Sequence, residues 1–245
     1  MSRRFILAAW LALSAVGSTE AAEPRWLVEA PTAGIPEHHA QILEVTGSSG
    51  RGLIVGYGFG FWNRFFVGAS FGGYQLVGEG DTDWNPDPGL SVKLRLLGET
   101  FSRPAFTIGF RTQGYGPYDG TLERYMTKSL GVYVVFSRNY RHTMGESGVH
   151  FGLNRSLEDG DGDDTLTGFV GSDWEIGRRV AIVGEYHFAF NDDRGSAVGR
   201  GRGYLNTGIR VWVTRQLAVR FDLRDILDNN PAVQTPKTIR VEWLR

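Results

Sequence analysis

From about Gln41 to the end of the chain, apolar residues alternate with polar or small ones in successive segments of roughly ten residues, with almost no helical periodicity. In 53–61, Leu53, Val55, Tyr57, Phe59 and Phe61 fall on one face and Ile54, Gly56, Gly58 and Gly60 on the other, because successive strand side chains point oppositely. The pattern predicts strands at 65–77, 90–98, 105–113, 127–138, 148–156, 165–174, 180–190, 203–213, 216–225 and 237–244; with 53–61 and a first strand at 41–47 they number twelve. The connections alternate too. Tight joints follow the even strands, as at Trp62-Asn63-Arg64, His142-Thr143-Met144-Gly145 and Val213-Thr214-Arg215. Longer polar loops (78–89, 114–126, 157–164, 191–202, 226–236) follow the odd strands beyond the first. Short turns at one end and long loops at the other mark a transmembrane antiparallel β-barrel, with turns in the periplasm and loops outside.

Alternation alone does not distinguish a barrel in lipid from a soluble sandwich, since the apolar face points out in one and in in the other. Composition favours the membrane. The 245 residues include 34 glycines and 13% aromatics. Glycine weakens a strand unless another backbone, a plug or a tight curve requires it. Trp62, Trp174, Trp212 and Trp243 lie at the turn-side ends of their strands and are expected to form an interfacial girdle. The absence of cysteine excludes disulfides, Cys-zinc sites and a lipidated N-terminal cysteine, and the net charge of −1 gives no footprint for nucleic acid.

Arg3 and Arg4 precede an apolar run, Phe5 to Val16, and small residues continue to Ala21 and Ala22. Residues 1–22 therefore read as a secretory signal peptide, too short for a spanning helix. The Ser-Arg-Arg start is only a loose twin-arginine pattern. Residues 23–40 are expected to form a periplasmic N-terminal lead, with His38-His39 in that linker, and 41–245 the barrel in the bacterial outer membrane.

Pro31-Thr32-Ala33-Gly34, the string from Gly52 to Gly80, Asp83 to Leu97 and Arg103 to Tyr118 together resemble the YjbH-type outer-membrane barrels. In that family a Pro-Thr-Ala segment opens the barrel and a Pro-Ala-hydrophobic-x-Ile-Gly strand ends in a Gly-rich loop. The resemblance covers roughly residues 28–118 and implies a structural role or assistance to exopolysaccharide export. The chain departs from that family in having room for one barrel only and no lipid-attachment cysteine.

Parity places Lys93, Arg95, Arg111, His150, Asn154, Asp173, Glu185, His187, Asn206, Arg210, Arg220, Asp222, Arg224, Arg240 and Glu242 on the lumen face. The expectation is that they pair with one another to fill a narrow interior, since isolated buried charges are costly. Two further readings are a polar conduit for small solutes, as in a porin, and a lipid-active hydrolase. The latter would rest on His187 with Glu185, or on His150 with Asn154 and Ser156. The loop Asp159-Gly160-Asp161-Gly162-Asp163-Asp164 lacks the glycine and glutamate of a calcium hand, and reads as a solvated acidic turn or a loose divalent-ion site. No cofactor is expected. The implied partners are outer-membrane lipid, lipopolysaccharide, the barrel-assembly machinery and polysaccharide-export components.

Overall fold

A computed structural model of the protein describes residues 23–76, 81–177, 179–199, 202–231 and 237–245. The expected signal peptide and its arginines lie outside them. The strands are β1 (Gln41–Ser48), β2 (Leu53–Phe61), β3 (Phe65–Tyr74), β4 (Asp83–Trp84), β5 (Gly89–Leu97), β6 (Ala105–Arg111), β7 (Tyr115–Asp119), β8 (Arg124–Thr127), β9 (Gly131–His142), β10 (Gly145–Arg155), β11 (Thr167–Ile176), β12 (Val180–His187), β13 (Tyr204–Trp212), β14 (Leu217–Leu223) and β15 (Lys237–Leu244). Apart from β4, which adds a two-residue rung to β3, and the β7–β8 pair, the strands pair antiparallel one with the next and β1 pairs with β15, so twelve strands close into a barrel. The expected strand at 127–138 begins four residues later, because 124–127 pairs with 115–119 in a separate hairpin above the mouth.

Burial is inverted relative to a soluble protein. Each barrel strand presents a large apolar residue to the outside: Leu43, Val55, Phe71, Leu90, Ile108, Val132, Phe151, Val170, Ile182, Ile209, Phe221 and Ile239 are all exposed. Lys93, His150, Glu185, Arg210, Arg220, Asp222 and Arg240 are buried inside. A closed sheet satisfies its backbone without an edge, and an apolar outer wall matches hydrocarbon.

The N-terminal segment does not lie beneath the barrel, as expected for a periplasmic lead, but runs into the lumen and back. Residues 23–36 form a hairpin: Trp26 pairs with Pro31, the Leu27 N–H donates to the Ala30 carbonyl at 2.9 Å, and the Thr32 N–H to the Arg25 carbonyl at 3.1 Å. Both ends lie at the turn side, and the tip, Val28-Glu29, reaches the loop-side ends of the strands. Trp26, Leu27, Val28, Ala30 and Ala33 pack with Ala105, Leu130, Tyr133, Val135, Phe169 and Val183 as one apolar cluster inside the wall. Inward glycines make room for the segment. A Cβ on Gly60 would stand 2.3 Å from the Glu37 carbonyl oxygen, and one on Gly171 would stand 2.4 Å from Leu27 Cδ1. His38 and His39 sit against the β2–β3 turn, where the His38 N–H donates to Asn63 and the His39 N–H to the Gly60 carbonyl at 2.9 Å.

Candidate functional site

The lumen wall binds the hairpin more than it binds itself. Glu185 on β12 accepts the Val28, Glu29 and Ala30 N–H groups at 2.8–3.0 Å. Lys93 donates to the Arg25 and Gly34 carbonyls at 2.9 and 2.8 Å, and Arg95 Nε to the Ala33 carbonyl at 3.0 Å. Arg210 reaches the Trp26 carbonyl at 3.1 Å, and Arg220 the Leu27 and Val28 carbonyls. In turn the Arg25 guanidinium pairs with Glu242 and Glu44. Trp26 lies under two cations, 5.0 Å from Lys93 Nζ and 4.6 Å from the Arg111 guanidinium carbon. The expectation that wall residues pair with one another holds for Arg220 with Asp222 at 2.9 Å, His150 with Asp173 at 2.7 Å and His187 with Glu185 at 3.2 Å. Most of the rest need the hairpin.

The reason lies in the register. Arg210 on β13 stands opposite Arg220 on β14, and Arg220 opposite Arg240 on β15. Like charges directly opposite are unfavourable in a sheet. Backbone carbonyls and acids of the hairpin, together with Glu44 and Asp222, offset this row. Above it, the Glu29 carboxylate meets Arg111 at 2.9 Å, Arg224, and Arg240 at 3.6 Å.

His150 does not meet Asn154 or Ser156; four residues along a strand span about 13 Å, beyond any contact. Its partners come from neighbouring strands: Nδ1 shares a hydrogen with Ser137 Oγ at 2.7 Å and Nε2 with Asp173 at 2.7 Å. Ser137 Oγ also accepts the Ala33 N–H at 2.7 Å. A serine, a histidine and an aspartate thus stand in line. The serine and histidine are fully enclosed, and the serine oxygen is engaged by the hairpin, so the trio positions that segment. Asn154 donates to the Leu130 carbonyl, and Asn206 donates to Glu185 at 2.7 Å and accepts the Asp225 N–H at 2.8 Å.

At the loop end, Arg124 on β8 ties three connections together, pairing with Asp161 and, at 2.6 Å, with Asp192. Lys128 adds a contact to Asp161 at 2.8 Å, and the Tyr204 hydroxyl donates to Asp192. The acidic loop is therefore not a solvated turn: Asp161 and Asp163 are buried, and Asp163 accepts the Asp193, Arg194 and Thr165 N–H groups. Among the described residues no acidic or histidine trio is placed to hold a metal. Burial pushes the Asp192 carboxyl up, but the bond and charge of Arg124 outweigh it and hold the group below the ordinary carboxylate range. Glu158, which receives the Tyr125 and Ser129 N–H groups, is held above that range by burial.

Of the expected girdle, Trp62, Trp174 and Trp243 lie on the turn or on outward positions, with Trp62 and Trp174 exposed. Trp212 is different. It stands opposite buried Ala218 and shares the inward parity of Arg210, so it belongs to the turn-side rim of the lumen. Parity also takes Phe66 and Phe169 off the lipid face and into the interior. Two signals for the filled lumen were present in the sequence. One is the Trp-Leu-Val run at 26–28 within the expected periplasmic lead; the other is the excess of Lys and Arg over Asp and Glu at the inward positions.

Two cavities flank the hairpin tip, with about 60 and 50 Å³ of water-accessible space. Both are lined by Glu29, Gln113, Gly114, Tyr115 and Arg224.

No family model and no curated protein matches the sequence, so the resemblance to YjbH-type barrels gains no support beyond the barrel itself. Solved structures do match. KdgM porin aligns at 11% identity and TM-score 0.52 over 83% of this chain and 98% of that one. A KdgM porin in complex with disordered oligogalacturonate aligns at 12% identity and TM-score 0.51 over the same shares. NanC porin aligns at 10% identity and TM-score 0.47, again over 83% and 98%. At these identities the likeness concerns architecture: the chain has the fold of a twelve-stranded outer-membrane porin.

Proposed function

We propose that the protein is an outer-membrane, porin-type channel for small anionic solutes, delivered by its N-terminal signal peptide and closed by its hairpin in the state described. The observation that carries this reading is the in-register row Arg210, Arg220 and Arg240, with Arg111 and Arg224 above it. Facing arginines repel one another unless something lies between them; the hairpin does so here, and a path for anions would use the same groups. Oligogalacturonate, bound by the KdgM porin, is a carboxylated saccharide, and this lumen offers guanidinium groups for such carboxylates. In this setting lipid and lipopolysaccharide would surround the exposed apolar wall, and the barrel-assembly machinery would insert it.

The test is planar-bilayer recording of the full chain and of a variant lacking residues 23–36. The full chain is expected to show little conductance, and the variant frequent open steps whose reversal potential in a KCl gradient favours chloride. A folded variant that stays silent, or that prefers potassium, overturns the reading. The filled lumen favours a second one, a closed structural barrel of the envelope, and silence from both proteins would support it.

A further inference from the structure

A second site lies at the hairpin tip. At that tip the Glu29 side chain is 16% exposed and lines both cavities. Its carboxylate is surrounded by Arg111, Arg224 and Arg240. Glu44 shares Arg240, standing 3.3 Å from its Nε, and the two carboxylates still leave donors of these guanidinium groups unused, as Arg224 shows. That side chain is 4% exposed and stacks 4.1 Å over the Tyr115 ring, yet its Nε and Nη2 have no hydrogen-bond partner among the described residues. Unpaired buried donors are costly and point to a ligand able to use them.

We propose that Arg111, Arg224 and Arg240 form a carboxylate-binding site that Glu29 fills in cis, and that a carboxylated saccharide entering from the loop side displaces Glu29 and frees the hairpin tip. This rests on the channel reading and supplies its trigger. The first cavity also offers a sugar hydroxyl the Asn154 Oδ1, a buried acceptor with no partner among the described residues. Glu29 lines both cavities, so its withdrawal enlarges each of them. A solute carboxylate has a second advantage over Glu29. It arrives untethered and can turn to use the idle Arg224 donors, which a hairpin held by Glu185 does not reach.

The chain has no cysteine, so a single thiol reports on the tip without background. Ala30 is fully buried, and Ala30→Cys is expected to react slowly with a methanethiosulfonate reagent in the folded full chain. Trigalacturonate should raise that rate about tenfold or more, and neutral maltotriose should not. Adding Glu29→Gln should raise the rate without ligand and leave trigalacturonate little further effect. Val28→Cys, on the other side of Glu29, is a second reporter if Ala30→Cys folds poorly, as judged by gel mobility before boiling. A reporter that ignores trigalacturonate, responds equally to maltotriose, or is unmoved by Glu29→Gln overturns the proposal. Conductance of the variant lacking 23–36 separates the two ideas: an open, anion-selective variant with an unresponsive tip removes the trigger and keeps the channel. A silent variant removes the channel whatever the tip does.

Discussion

Glu185 shows how much one side chain carries when it is buried among backbone donors. It takes three consecutive N–H groups of the hairpin tip and is itself oriented by Asn206 and His187. Removing it leaves donors that neither water nor protein satisfies, at a cost of about 1–3 kcal/mol for each unsatisfied group. Glu185→Ala is therefore expected to speed hydrogen exchange at Val28, Glu29 and Ala30 at least about thirtyfold, the equivalent of ~2 kcal/mol. Glu185→Gln, which keeps one acceptor, should fall between. Unchanged exchange in the alanine variant would show that the tip is held by Arg220 and the apolar cluster alone. Gly60 is the complementary case, a position defined by what it lacks. A side chain there meets backbone at Pro36-Glu37, which has no rotamer to yield. Gly60→Val should destabilise the base of the hairpin by about 1–3 kcal/mol, seen as a lower unfolding temperature.

Among elements, the loop-side hairpin β7–β8 matters most after the N-terminal one, because its Arg124 joins the connections on either side of β11 and β12. Protonating Asp192 costs the folded loops more than the unfolded chain. Its contribution is complete above the ordinary carboxylate range and is lost as pH falls through its lowered folded value. Glu158 has the opposite sign: its raised folded value makes its contribution complete at low pH and lost as pH rises through that value. Protection of the loops should therefore peak in the ordinary carboxylate range, near about pH 4, and decline on both sides. Hydrogen exchange of the 159–164 and 191–194 amides, corrected for intrinsic rates, measures this. Asp192→Asn should lessen the acid-side decline, which Asp163 shares through its own bonds to the 193 and 194 amides, and Glu158→Gln should remove the alkaline-side one. A profile that stays flat across this range would mean that neither carboxylate governs the loops.

At the scale of the whole molecule, the barrel encloses a filled interior, a charged wall around an apolar cluster to which the hairpin contributes five residues. Deleting 23–36 removes five members of the apolar cluster and strands the arginine row, so the deleted barrel should unfold in detergent at a lower temperature than the full chain. Loss of its faster unboiled gel band at lower temperature is the readout; equal thermal stability would mean that the hairpin is only lodged in the lumen. The wall was legible in the sequence because period-two alternation and alternating connection lengths are local patterns, and each strand carries its own copy. The hairpin was not, because its partners lie far away in sequence. Glu185 meets Ala30 across 155 residues, and Arg220 meets Val28 across 192. The inward positions were readable one strand at a time, but what they touch depends on closure. Trp212 was misplaced for a related reason: its position at a strand end suggested a girdle, while its parity with Arg210 puts it inside. Closure carries one more consequence, in the order of events during folding. The hairpin precedes β1 in the chain, and β15, which seals the wall against β1, follows every other strand. Its 23–36 segment must therefore be gathered in before the seam shuts, so the final pairing of β1 with β15 fixes the contents of the barrel as well as its shape.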